Sequence, residues 1–186
     1  MVELADYSGE CIPDIRYDDF SKDMLLRLLK GYAGYVLRVD GLWYLTVKNR
    51  NSDGEALACD MDVWEKALKY ELHISRDLFN ITGCDVAALM KYFQMSPWQW
   101  TRDFKYKVEL QDSNYDIYTV LHCHTLIALE REDEGRERSI CHIQDAQIIK
   151  RIAHYVNPSI NVRPLKLPPR ENRNGFACQW EFSLRE

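Results

Sequence analysis

The sequence predicts an α+β fold: a helical N-terminal half packed with a mainly antiparallel four-stranded sheet that is crossed by one helix. Two observations carry this. Apolar residues recur at spacings of three and four up to residue 95, and from Phe104 the period drops to two. A further helical stretch then separates two pairs of strand-like segments, an order that suits a segregated α+β arrangement. Residues 1–17 read as an N-terminal extension and 18–186 as one domain, helical over 18–95 and sheet-and-helix over 103–186.

The elements follow in order. After Asp18-Asp19-Phe20-Ser21, a capped start, Met24, Leu25, Leu28, Leu29, Tyr32 and Val36 mark a first helix. Its pattern runs on through Leu42, Trp43 and Val47, weakened by Gly31, Gly34 and Gly41. Asn49 to Gly54 is a turn cluster in which Ser52 or Asp53 caps a second helix, marked by Leu57, Met61, Trp64, Leu68 and Leu72. Asn80 to Gly83 breaks it. Val86 to Phe93 forms a third helix that Ser96-Pro97 stops.

Phe104 to Leu110 alternates apolar and charged residues as a half-buried strand does, and Tyr115 to Thr125 reads as its hairpin partner across Asp112-Ser113-Asn114. The run Glu130 to Arg138 reads as solvated charge. Ser139 to Val156 is a fourth helix, and Ile160 to Leu167 a third strand that Pro164 confines to an edge. The closing strand places Phe176, Cys178, Trp180, Phe182 and Leu184 on one face.

Composition excludes more than it selects. The 186 residues are 46% hydrophobic and 28% charged, which suits a folded globular domain. The formal charge of −5 lacks the basic footprint of a nucleic-acid partner. The first twenty residues have no apolar core of a signal peptide, and Arg38 and Asp40 interrupt the longest weakly charged stretch, so no membrane partner is expected. A cytoplasmic location follows as the expectation, and with it reduced thiols.

The six cysteines are too few for a disulfide scaffold, so their placement is what informs. Cys11, Cys59 and Cys84 are scattered in the helical half. Cys123 shares a strand face with Tyr115, Ile117, Thr119 and Leu121, Cys178 lies on the apolar face of the last strand, and Cys141 belongs to a helical stripe with Asp145, Ile148 and Ile152. All three are predicted to meet where the sheet packs on the fourth helix. Cys141 also falls in the first turn of that helix, where the dipole favours a thiolate. His122 and His124 flank Cys123 but alternate to the other face. Three readings are open: inert core cysteines, thiols in the wall of a ligand pocket, and a metal site lacking the close spacing of a zinc module. No phosphate-binding loop, dinucleotide motif, nucleophile elbow or H-E-x-x-H motif is present. Trp98-Gln99-Trp100 supplies aromatic surface, for packing or for stacking on a flat ligand.

Cys123 in a strand, Cys141 opening a helix, Asn157 to Val162, Pro168-Pro169 and Cys178-Gln179-Trp180-Glu181-Phe182 form a pattern, joined by Gly41-Leu42-Trp43-Tyr44 and Ser96-Pro97-Trp98. It resembles a family of uncharacterised bacterial and archaeal cytosolic proteins. More distantly it resembles aminothiazoline-carboxylate hydrolase-like proteins and the 4-vinyl-reductase-type hydrocarbon-binding domain. The resemblance implies an α+β fold around a small-molecule pocket, sometimes with cysteines that suggest a metal. It falls here on Cys123, Cys141 and Cys178, with Trp180 and Phe182 as pocket wall. Relatives carry further cysteines in the strand before the Pro-Pro pair, where this chain has Pro164 and Leu167, so that strand offers no fourth thiol.

The leading expectation is a binding protein for a small apolar or aromatic molecule, with Cys123, Cys141, Cys178, Trp180 and Phe182 around it. The alternative is a hydrolase or metal-dependent enzyme in which the same three cysteines serve, with zinc or iron as the metal. A second alternative is an interaction protein that forms a homodimer through its first helices.

Overall fold

The computed structural model describes residues 3–184 and has the α+β architecture. Helix α1 (Lys22–Arg50) starts where Ser21 Oγ accepts the Met24 N–H at 3.3 Å, and it runs unbroken through its glycines. Ser52 caps α2 (Asp53–Phe79) in the same way, accepting from Glu55 at 3.1 Å. The two helices fold back on each other as a hairpin, and the Trp64 indole donating to Asp40 at 3.0 Å ties them across. Asn80, in the left-handed region at φ 49°, ends α2. Asp85 caps α3 (Val86–Met95), which is apolar on nearly every side because it sits in the middle of the core.

Strands β1 (Lys105–Asp112), β2 (Tyr115–His122), β3 (Asn161–Lys166) and β4 (Cys178–Ser183) form one antiparallel sheet in the order β1-β2-β4-β3. Pro164 lies on an edge strand, as a residue without an N–H must. Phe93 of α3 stacks on Tyr118 at 5.2 Å and packs against Phe182 at 5.5 Å, joining helix to sheet. Trp180 and Phe182 are fully buried there.

Three local expectations are corrected. The even face of β2 is the one buried along its length, with Asp116, Tyr118 and Val120, whereas on the odd face Thr119 is buried, Tyr115 and Ile117 are half-buried and Leu121 is 45% exposed. The pairing Tyr118↔Trp180 and Asp116↔Phe182 explains it, since directly opposed residues share a face and β4 turns its tryptophan and phenylalanine inward. Second, the chain does not stay extended through Thr125. It enters α4 (His124–Glu132), with Cys123 as the cap whose Sγ accepts the Leu126 N–H at 3.5 Å, and Leu126 and Leu129 face the core.

Third, the charge run is not free in solvent. Glu130 holds Arg170 in a two-pronged pair at 2.8 and 2.6 Å, and Arg136, 8% exposed, pairs with Glu132 and Asp53. The crossing helix starts two residues earlier than its apolar stripe suggests and passes through one wide turn: α5 (Glu137–Ser139), a π-helical segment (Ile140–Gln144), then α6 (Asp145–Val156).

Candidate functional site

The helical hairpin does not close flat against the sheet. Between them lies a cavity of about 310 Å³. Leu37 and Leu45 of α1, Leu68 of α2, Val120 of β2 and Ile148 and Ile152 of α6 supply its apolar wall. Trp64 and Trp98, with ring centres 4.8 Å apart, form an aromatic corner, so the Trp98 segment takes part in the cavity rather than only in packing.

The cysteines divide. Cys123 and Cys178 line the cavity. Cys141 is buried in the π-helical segment behind them, outside the lining. Trp180 and Phe182 also stand behind the wall, in the core, and the Trp180 indole donates to Cys178 Sγ at 3.4 Å. Cys11 and Cys84 are exposed. The surroundings of Cys141 oppose the thiolate expected of it. Burial, then Asp145, pushes its pKa far upward, and burial raises Cys123 to about 11 and Cys178 to about 12. The earlier start of the helix at Glu137 also takes Cys141 out of the first turn, away from the dipole on which that expectation stood. Among the described residues no three His, Cys, Asp or Glu side chains form a group that could hold a metal ion, so zinc or iron finds no ligand set at Cys123, Cys141 and Cys178.

His124, expected on the far side, lines the cavity because the chain has already turned into α4. Burial lowers its pKa, which keeps the ring neutral.

The polar side of the cavity is acidic, and residue patterning by cysteine missed it. Asp40, Asp60 and Asp145 reach it from α1, α2 and α6. Burial, reinforced by the neighbouring Asp60, raises Asp40 to about 6. Burial raises Asp145 to about 7, with Asp60 and Asp40 adding to it and a hydrogen bond from Cys141 opposing it. Asp60, 3% exposed, is raised by burial while it accepts from Gln144 Nε2 and shares a hydrogen bond with Asp40. A signal was there to be read: Asp60 stands four residues before Trp64 and eight before Leu68, on the buried stripe of its helix.

Arg136 also lines the cavity; it lies 4.5 Å from the Tyr44 ring centre and pairs with Asp53 and Glu132. Tyr44, also bonded to Asp53 at 3.0 Å, has its pKa raised to about 12, chiefly by burial.

Fold and site thus define an α+β protein with a mainly apolar, half-open cavity that carries a group of acidic side chains. The chain belongs to the family of unknown function DUF6125, whose pattern matches residues 18–184. No curated protein and no solved structure matches it, so the likeness to aminothiazoline-carboxylate hydrolase-like proteins and 4-vinyl-reductase-type domains gains no support from that side. Among the described residues no helix is long and apolar enough to cross a membrane.

Proposed function

We propose that this protein is a cytoplasmic small-molecule-binding protein that takes a small apolar or aromatic molecule into the cavity between its helical hairpin and its sheet. One observation supports this above others: a cavity of about 310 Å³ left by otherwise close-packed elements, with apolar walls and a few convergent polar groups. Of the residues expected around the ligand, Cys123 and Cys178 would touch it, while Cys141, Trp180 and Phe182 support the wall from behind. The cysteine hydrolase or metal-enzyme alternative is less favoured, since burial holds all three thiols protonated.

Equilibrium dialysis with 4-phenylbutanol tests the reading. Wild-type protein should retain the alcohol, and Ala128→Trp, which fills the cavity from α4, should abolish retention while circular dichroism stays unchanged. Equal retention by both overturns it, as does a wild type that retains neither this alcohol nor the amine and the acid with the same phenylbutyl body.

A second reading, a homodimer, is favoured by an unpartnered seam on α1. Leu29, Tyr32, Val36, Val39 and Trp43 are spaced 3-4-3-4 and are each 45–57% exposed. That spacing is the one at which two helices interlock, and it lies one residue out of phase with the cavity-facing Leu37, Asp40 and Tyr44. Sedimentation equilibrium should show a dimer that Val36→Glu dissociates; a wild-type monomer at 100 μM, on the order of a weak complex's Kd, refutes this.

A further inference from the structure

Four carboxylates and one guanidinium line the cavity, and the guanidinium is already taken. Arg136 pairs with Glu132 and with Asp53, leaving Asp40, Asp60 and Asp145 in no ion pair with any described residue. Three carboxylates facing one cavity from three helices is an expensive arrangement, because each disfavours the charge of the next and none has a counter-ion.

A separate observation points the same way. Gln144, 6% exposed, lines the cavity, and its amide nitrogen is committed to Asp60, which leaves Oε1 without a donor. Gln99 repeats the pattern at the aromatic corner: its nitrogen donates to Tyr118 and its Oε1 has no donor. Arg136 Nε makes no hydrogen bond but lies 3.0 Å from the Asp53 carboxylate; apart from it, the unfilled side-chain capacity among the described residues of this cavity is of one kind, acceptors. A buried acceptor left unmet is costly, and a ligand that brings donors relieves it.

We propose that the ligand is an organic cation, a protonated amine carried on an apolar or aromatic body. The ammonium would sit among Asp40, Asp60, Asp145 and Gln144 Oε1, and the body against Trp64, Trp98 and the aliphatic wall. An ammonium has three N–H donors and no acceptor, which matches what the site lacks. The indole faces add attraction for a cation that a neutral isostere does not feel. A bare metal ion does not meet the same need, since these side chains form no group able to hold one. The inference rests on the pocket reading above and narrows it.

The test uses three probes with one body and different heads: 4-phenylbutylamine, 4-phenylbutanol and 4-phenylbutyrate, each titrated calorimetrically into the full chain at pH 8. The amine should bind at least about tenfold tighter than the alcohol, the usual worth of one charge-assisted hydrogen bond, and the acid should be weakest. Asp145→Asn and Asp40→Asn should each weaken the amine by about tenfold and leave the alcohol within twofold. Equal binding of amine and alcohol overturns the cation inference while the pocket reading stands. Preference for the acid also overturns it. No binding of any probe overturns the pocket reading, and the inference falls with it.

Discussion

Asp145 offers the most direct physical test of the cavity. Its carboxyl is held at about 7 against an ordinary 3.8, because burial and the facing Asp60 and Asp40 outweigh the thiol of Cys141 that donates to it. The groups around it are Asp40 from α1, Asp60 from α2, Cys123 and Cys178 from the cavity wall, and Cys141 four residues earlier on its own helix, none of them cationic. For an acid raised on folding, the folded state binds a proton that the unfolded state has released. Stability from this group is therefore full below pH ~4, falls as pH rises to ~7, and is level above that. A shift of this size corresponds to about 4 kcal/mol at ~1.4 kcal/mol per unit, and water admitted by the cavity reduces what is seen to about 2 kcal/mol. Asp145→Asn cannot ionise. Urea unfolding followed by circular dichroism should show the wild type losing about 2 kcal/mol more than the variant between pH 4 and pH 8, with the variant the more stable at pH 8. Asp40, itself raised to about 6, leaves a smaller slope in both proteins. Parallel pH profiles, or a variant weaker than wild type at pH 8, would refute the picture of a desolvated and uncompensated carboxylate.

Two further outcomes follow from residues outside the acidic group. Arg170→Ala should destabilise by about 2–3 kcal/mol in the same assay, because the fork on Glu130 is 8% and 13% exposed and pins the β3–β4 loop to α4. Arg170 also holds Glu130 below its ordinary pKa, so this contribution is present above pH ~4.5 and fades as pH falls further; a loss that is the same at pH 3 and pH 7 contradicts it. Iodoacetamide at pH 8, read by peptide mass mapping, should modify exposed Cys11 and Cys84 at least tenfold faster than Cys123, Cys141 and Cys178. Fast labelling of Cys141 would restore the enzyme reading.

The elements that were legible in the sequence are those whose period is long and whose ends are chemically marked. Ser21, Ser52 and Asp85 cap the three helices as their residue types require, and the residues of β1 and β4 alternate apolar and polar in sequence. Helix α4 was not legible because His122-Cys123-His124-Thr125 continues the β-rich composition of β2, and a nine-residue helix offers only Leu126 and Leu129 as periodic signal. Cys123 reaches the cavity all the same, but from a turn, not from the strand face that placed it there. The solvated reading of Arg136 failed for a tertiary reason: the far end of the α1–α2 hairpin folds Tyr44 and Asp53 over it. Asp40 and Asp60 belong to no motif, and only their place on buried helical stripes marks them, where a carboxylate is the rarer event.

The cavity draws its walls from Leu37 near the start of the chain to Cys178 near its end. Neither half encloses it alone, so it exists only while the hairpin is seated on the sheet. A bound molecule would act as a latch between the two halves, adding about 2.7 kcal/mol to their docking at a hundredfold excess over its Kd. Cut in the loop between α3 and β1, the chain would give two fragments whose reassembly depends on ligand, and the protein would report the concentration of that molecule by whether its halves hold together.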